Sequence, residues 1–353
     1  MAVNVTDSYV AEKTLDYAKL SELAYAEWLS WDGLWFLDPT QSNLQYYENL
    51  WNKMSAKGNW VFGYDESSET GYSGTIFEAY DGTKILANRG TEKWTDSRDR
   101  YADQLIAFHQ VPAEQFRSMA EFINLTIGND TFEVTGHSLG GCLAQVAKSA
   151  YAAQVRAVYT YEALGALTLV PQSSYAYYTE SATPGRIILT DGVSYYEWDT
   201  SVWNMYRSLN LQQTESSKIF NVSGTSDILA EVGGPDIGRE IFIDGTHGIK
   251  GVISNLVEGP FYVDPRKPET VIGSSRNEIF YGNYDSRHFS GSTVGNITLV
   301  GGYGNDELWG DVGNDSLYGD LPIELNNEAA KRATGNLTGE PGRDRLIGGK
   351  GND

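Results

Sequence analysis

The stretch Phe132-Glu133-Val134-Thr135-Gly136-His137-Ser138-Leu139-Gly140-Gly141 decides the fold of this chain. Its first four residues have the character of a short β-strand, and a helical pattern runs from Gly141 to Ala153. A Gly-x-Ser-x-Gly sequence between a strand and a helix is typical of a nucleophile elbow, a crowded turn in which glycine is needed on both sides of the serine. The stretch therefore predicts an α/β fold that presents the hydroxyl of Ser138 to a substrate.

The segments on either side of this turn extend the α/β pattern. Helical spacing of apolar residues runs from Thr14 to Trp28 and from Ala113 to Ile127. Gly74–Tyr80 and Lys84–Ala87 are predicted to form a hairpin through the turn Asp81-Gly82. Further strands, of a mostly parallel sheet, are predicted at Val155–Tyr161, Arg186–Thr190 and Ile219–Ser223. The aromatic-rich segment at residues 28–60, whose periodicity is poor, is predicted to cover a site. A second aromatic-rich segment, residues 175–206, has two interpretations: ordinary core and surface aromatics, or a lid or acyl-chain wall.

A serine nucleophile needs a histidine base, and the chain has four histidines. In this fold the base follows the serine and the acid in sequence, whereas His109 precedes Ser138. His137 lies within the elbow itself, and His288 lies in the glycine-rich C-terminal region. The remaining histidine, His247, is the predicted base.

The carboxylate that orients this base is predicted at Asp227, at the end of the strand-like run Lys218–Val222. Asp191 also follows a strand-like run, and Asp236 lies in a nearby loop, so both stay open as alternatives. The backbone N–H of Leu139, at the start of the helix, is the first predicted donor of an oxyanion hole.

Asn88-Arg89-Gly90-Thr91, together with the elbow sequence, resembles the two signatures of class 3, fungal-type lipases, over roughly residues 72–250. The resemblance implies an α/β-hydrolase with a mostly parallel central sheet. It also implies that Thr91 supplies the second oxyanion donor, through its backbone N–H and its hydroxyl. Trp94-Thr95-Asp96 matches only approximately the Asp-Trp pair that often follows in that family.

The resemblance implies a serine carboxylic ester hydrolase with a lipid-like substrate, most simply a triacylglycerol lipase. Phospholipase A1 and feruloyl-type esterase use the same triad and stay open, as does transfer of the acyl group to an alcohol. A non-enzymatic alternative is a calcium-dependent binding or adhesion module with a vestigial hydrolase domain.

The C-terminal region contains nonapeptide repeats. Gly301–Trp309 is followed without a gap by Gly310–Tyr318, both of the form Gly-Gly/Asp-x-Gly-x-Asp-x-bulky-x. Residues 295–300 are a degenerate neighbour, and residues 342–353 resume the pattern. The repeats resemble the parallel β-roll of RTX proteins, in which turn aspartates and glycine carbonyls bind calcium. The predicted calcium ligands are Asp306, Asp315, Asp344, Asp353, Gly302, Gly304, Asp311 and Gly313.

Length and charge are consistent with this division. The 353 residues exceed one ordinary core, and we expect a catalytic domain at residues 1–268 and a calcium-binding β-roll region, truncated, at residues 269–353. A formal charge of −21 disfavours nucleic acid as a partner and suits calcium. The single cysteine, Cys142, excludes an intramolecular disulfide. Calcium is the expected structural cofactor, and we expect the catalytic reaction to need no cofactor.

Residues Met1–Asp7 lack the basic and apolar segments of a secretory signal peptide. The RTX resemblance implies export by a bacterial type I secretion apparatus and an extracellular location, with contact to a lipid interface if the substrate is lipid. Because the sequence ends at Asp353 in mid-repeat, we expect further repeats and the export signal to follow in the full-length protein.

Overall fold

A computed structural model describes residues 9–32, 34–67, 69–91, 97–227, 235–263, 270–282, 296–320 and 343–350. Its contacts divide the chain into two compact units. The elbow unit comprises Leu20–Ile219 and Leu229–Gly238, and the roll unit comprises Met1–Lys19, Phe220–Ile228 and Arg239–Asp353.

The elbow unit contains five neighbouring strands, of which the last three in sheet order are parallel to one another. In sheet order they are Trp60–Glu66, Ser73–Glu78, Lys84–Asn88, Phe132–His137 and Val155–Tyr161. The first two pairings are antiparallel and the last two are parallel. Every residue of Phe132–His137 is buried, as expected for a strand covered by helices on both faces. The predicted hairpin and elbow strand are confirmed.

Helices pack against these strands and supply about half of the unit's hydrophobic cluster. Their bounds are Leu44–Ala56, Ser97–Ala107, Ala113–Thr126, Leu139–Ala150 and Thr200–Arg207, with a 3₁₀ turn at Leu211–Gln213. The helix Leu139–Ala150 is apolar almost all round, and its first ten residues are buried. It packs with the helix Ala113–Thr126 in one continuous hydrophobic cluster.

One predicted strand belongs elsewhere. Arg186–Thr190 was expected in the mostly parallel sheet, but it is the middle strand of a separate antiparallel sheet with Ala176–Glu180 and Tyr195–Asp199. The reason is local: Asp191 accepts hydrogen bonds from the amides of Val193 and Ser194 at 2.9 and 2.8 Å, which closes a tight turn. A strand followed by such a turn pairs with its successor as a hairpin.

The segment from residue 28 to residue 60 is regular despite its poor periodicity. Trp28–Trp31 and Leu34–Leu37 form a two-stranded antiparallel hairpin, and the helix Leu44–Ala56 follows. The second aromatic segment, residues 175–206, contains both buried and exposed side chains. Trp198 and Tyr206 are buried, with ring centroids 5.5 Å apart, whereas Tyr177 and Tyr178 are exposed.

Successive strands of the roll unit from Phe261 onward alternate between two sheets, which is the arrangement of a parallel β-roll. One sheet has the order Tyr9–Val10, Thr270–Ile272, Thr298–Gly302 and Ser316–Asp320, all parallel. The other includes Phe261–Val263, Ile279–Tyr281, Glu307–Val312 and Arg345–Lys350, also parallel. The N-terminal strand Tyr9–Val10 thus lies at the edge of the roll. The predicted β-roll is confirmed.

Before the roll, the unit contains a further parallel pair, formed by the strand Ile219–Gly224 from Phe220 onward and Arg239–Ile243. Arg239–Ile243 also pairs antiparallel with Phe261–Val263. The helix Ile249–Glu258 connects these last two strands, and the helix Ala11–Leu23 begins in this unit.

These elements make an α/β protein with a mostly parallel sheet, as the sequence predicted. The proposed domain boundary at residue 268 falls within residues 264–269, outside the described part of the chain, and stays a prediction. Within the described residues, no helix combines the length and hydropathy needed to cross a bilayer.

Candidate active site and candidate calcium sites

Ser138 occupies a strained turn between the strand Phe132–His137 and the helix Leu139–Ala150. Its φ is 56° and its ψ is −126°, a conformation that costs a non-glycine residue on the order of 1–3 kcal/mol. Its amide donates a hydrogen bond to the carbonyl of Tyr161 at 3.0 Å, which fixes the turn to the next strand. A Cβ on Gly136 would collide with the carbonyl oxygen of Gly140, so the turn requires glycine there.

The two predicted oxyanion donors occupy different local settings. Leu139 is the first residue of the buried helix, where backbone N–H groups have no partner within the helix. Thr91 donates its hydroxyl to the carboxylate of Asp103, at 3.0 Å from Oδ2. The hydroxyl therefore fixes the loop, and the amide of Thr91 is the group that suits an oxyanion.

The elbow unit also places Tyr25 beside the elbow, which the sequence did not predict. The Tyr25 hydroxyl lies 2.9 Å from His137 Nδ1 and accepts a hydrogen bond from the amide of Gly90. A Cβ on Gly90 would lie 2.6 Å from this hydroxyl and 3.2 Å from Ser138 Cβ. Burial raises the pKa of Tyr25 well above its usual value, so the phenol keeps its proton and can donate it to His137. No local signal links residues 112 positions apart.

A buried carboxyl group completes this neighbourhood. Glu162 follows the strand Val155–Tyr161 with a φ of 48° and is almost fully buried. One of its ligand atoms lies within 4.8 Å of a ring nitrogen of His137. Buried carboxylates and strained φ values of this kind are concentrated at functional sites.

In the roll unit, the structure brings the predicted base and acid together. His247 Nδ1 lies 2.9 Å from Asp227 Oδ2, and the side chain of Asp227 is fully buried. The amides of Thr225 and Ser226 donate to the carbonyls of Ile243 and Gly245, at 2.9 and 3.0 Å, and join the two loops. An imidazole oriented at Nδ1 by a carboxylate can transfer a proton through Nε2.

The two alternative acids have other partners. Asp191 caps its turn and also accepts a hydrogen bond from the hydroxyl of Tyr196 at 2.9 Å. The hydrogen bonds from the backbone amides, and to a smaller extent the one from Tyr196, lower the pKa of Asp191. Asp236 accepts a hydrogen bond from the side chain of Gln145. Asp191 also lines a pocket of about 480 Å³ in the elbow unit, together with Tyr101, Glu114, Tyr175 and Tyr196.

The turns of the roll carry the predicted calcium ligands in a repeated arrangement. Oδ1 of Asp306 accepts from the amide of Glu278 at 2.9 Å, and Oδ1 of Asp344 accepts from the amide of Asp306 at 3.0 Å. On the other side of the roll, Oδ1 of Asp315 accepts from the amide of Ile297 at 3.0 Å. Each aspartate thus uses one oxygen to bind the backbone of the neighbouring coil.

The second oxygen of Asp306 fits a cation. Among the described residues Asp306 Oδ2 has no hydrogen-bond partner, although it is buried. Burial, with smaller contributions from the nearby carboxylates of Glu278 and Asp344, raises the pKa of Asp306 to about 7. A hard cation such as calcium would satisfy this oxygen and neutralise the cluster.

The turn glycines belong to the same arrangement. Gly302 and Gly304 have φ values of 105° and 112°, and a Cβ on Gly304 would collide with the carbonyl of Arg276. Gly313 is buried in the turn before Ser316–Asp320. The side chain of Asp311 and the whole of Asp353 lie outside the described part of the chain.

The first coil of the roll has a different chemistry at the equivalent positions. Ile279 pairs with Glu307, so that Ser274, Arg276 and Glu278 stand beside Gly302, Gly304 and Asp306. The guanidinium of Arg276 lies 3.4 Å from Glu278 and 2.8 Å from Glu12. Glu278 also accepts hydrogen bonds from the amide and hydroxyl of Ser274. In this coil, the carboxylate of Glu278 is therefore partnered by the guanidinium of Arg276 and by Ser274.

Comparison with known proteins identifies the repeats. The RTX calcium-binding nonapeptide repeat, in four copies, matches residues 295–321 and 336–353. The C-terminal region carries RTX calcium-binding repeats. No curated protein sequence matches the chain. Among solved structures, lipase II from Rhizopus niveus is similar with a TM-score of 0.32 and 13% identity, covering 67% of this chain and 82% of that chain. A likeness this distant does not indicate an activity.

Proposed function

We propose that this protein is a serine hydrolase of carboxylic esters, most simply a triacylglycerol lipase, with Ser138 as its nucleophile. The observation that carries the proposal is the strained backbone of Ser138, held at a strand-to-helix turn and at the N-terminus of a buried helix. The hydrogen bond between His247 and Asp227 supports it, because a serine hydrolase requires such a base and orienting acid.

In the proposed reaction, Ser138 Oγ attacks the ester carbonyl and gives its proton to His247 Nε2. Asp227 holds the other ring nitrogen and stabilises the imidazolium. The amides of Leu139 and Thr91 donate to the oxyanion. His247 then protonates the departing alcohol, and water, deprotonated by the same imidazole, releases the acid from Ser138.

We also propose that the protein is exported and works outside the cell, since RTX repeats are typical of bacterial proteins that use type I secretion. Asp306, Asp344 and the equivalent Asp315, with turn carbonyls, would hold the calcium. Extracellular modules bind calcium at roughly 10⁻⁴–10⁻³ M, far above cytosolic levels, so the roll would complete its folding after export.

The first experiment compares wild type, Ser138→Ala and Ser149→Ala on p-nitrophenyl esters of increasing chain length, in calcium. Ser149 lies in the last turn of the helix that follows Ser138 and serves as the matched control. We expect Ser138→Ala to lose at least about 1000-fold in kcat, with Ser149→Ala unchanged. A fluorophosphonate probe should label wild type at Ser138, which tests the nucleophile independently of the substrate.

The substrate profile separates the alternatives. Preference for long chains supports a lipase, release of a phospholipid acyl chain indicates phospholipase A1, and preference for short or aromatic acids indicates a feruloyl-type esterase. If wild type shows neither hydrolysis nor labelling in calcium, the proposal is wrong and the vestigial binding module gains support.

A further inference from the structure

The hairpin formed by Trp28–Trp31 and Leu34–Leu37 has one face made entirely of large apolar side chains. Its register pairs Leu29 with Phe36 and Trp31 with Leu34. Directly paired residues of an antiparallel ladder share a face, and positions two apart along a strand do too. These four side chains therefore form one surface, which we call the outer face. Leu29 and Phe36 are 41% and 42% exposed, and Trp31 and Leu34 are 79% and 74% exposed.

The opposite face of the hairpin is fixed to the body of the elbow unit. Trp28 is buried and packs edge-on against Trp51 and Phe77, with ring centroids 5.2 and 6.2 Å apart. Trp35 packs edge-on against Tyr64 at 6.1 Å. A shift of the strand register by one residue would expose Trp28, so the packing of Trp28 keeps the outer face exposed to solvent. A compact apolar surface of this kind marks an interaction site.

The charges around the outer face select its partner. Neither strand of the hairpin contains a lysine or arginine, whereas Glu27 and Asp32 flank the first strand and are exposed. With a formal charge of −21 on the whole chain, an anionic surface would be repelled. Tryptophan and aliphatic side chains together are favoured at the boundary between lipid and water.

We propose that the outer face inserts into the surface of an electrically neutral lipid aggregate and anchors the enzyme there. The inference rests on the proposed function, since an ester hydrolase acting on lipid must work at such a boundary. It identifies the outer face as the lipid-binding surface and specifies the lipid charge that this surface accepts. An uncharged or zwitterionic interface is bound, and an anionic one is not.

The test measures partition onto sucrose-loaded phosphatidylcholine vesicles by sedimentation, in calcium and 0.15 M salt. The outer-face variant is Trp31→Ser with Leu34→Ser. The control is Tyr80→Ser with Leu125→Ser, which removes two apolar side chains that are 86% and 88% exposed elsewhere in the elbow unit. All proteins carry Ser138→Ala, so binding is read without hydrolysis and does not depend on catalysis.

We expect the outer-face variant to lose at least about tenfold in partition coefficient, with the control within about twofold of the parent. Replacing a third of the phosphatidylcholine by phosphatidylglycerol should weaken binding of the parent. Equal partition of both variants, or stronger binding to the anionic vesicles, would overturn the proposal. So would a lipid-free dimer of the parent that the outer-face substitutions convert to a monomer, since the partner would then be a second copy.

Discussion

At the residue scale, Tyr25 links two loops of the proposed active site, because it accepts from Gly90 and lies 2.9 Å from His137. We expect Tyr25→Phe to lower kcat about 10- to 100-fold with little change in KM, since misplaced oxyanion donors act mainly on the transition state. Because burial holds the pKa of Tyr25 above its usual range, the kcat ratio to wild type should stay constant up to about pH 10.

The control is Tyr151→Phe, which removes a buried hydroxyl bound to the carbonyl of Ala120 at 3.2 Å. Both variants lose a buried hydrogen bond and should lose comparable stability, about 1–3 kcal/mol. Only Tyr25→Phe should slow labelling by the fluorophosphonate probe. Equal labelling rates for the two variants would assign Tyr25 a structural role alone.

At the element scale, we expect the coils of the roll to use two kinds of cation, an internal guanidinium and calcium. The first coil holds Glu278 with Arg276, whereas the next presents the buried carboxylate of Asp306. We expect Arg276→Gln to lower Tm equally with and without calcium, since its partner is internal. Asp306→Asn should instead raise Tm in EGTA, by removing a buried charge, and lower it in calcium, by removing a ligand. Scanning calorimetry of both variants measures this, and a calcium-dependent loss in Arg276→Gln would contradict it.

At the scale of the whole molecule, we expect the acidic charge to make stability depend on calcium. The chain carries 47 acidic and 26 basic residues, and the roll places several carboxylates in its turns. Removing calcium should lower the Tm of the roll and leave it open to trypsin, with recovery centred at roughly 10⁻⁴–10⁻³ M calcium. Magnesium at equal ionic strength should not replace calcium, because it loses its water reluctantly. A trypsin pattern identical in EGTA and calcium would count against a structural role for the ion.

The amino-acid sequence by itself determined the elbow and the repeats. Both are local: the strand, serine and helix of the elbow are contiguous, and each repeat closes its turn within nine residues. Steric and backbone requirements at this range are written directly in residue types, which is why the α/β class and the β-roll were predictable. The pairing of His247 with Asp227 followed from chain order and family resemblance, and the two side chains do meet.

Only the tertiary structure decided the remaining features, because they depend on packing between distant segments. Tyr25 meets His137 across 112 positions, and Arg276 reaches Glu12 across 264. Arg186–Thr190 has the composition of a central strand, yet the turn after it places it in an outer antiparallel sheet. The outer face of the hairpin is equally invisible in the sequence, since large apolar residues stand on both of its faces, and burial of Trp28 selects which face remains exposed.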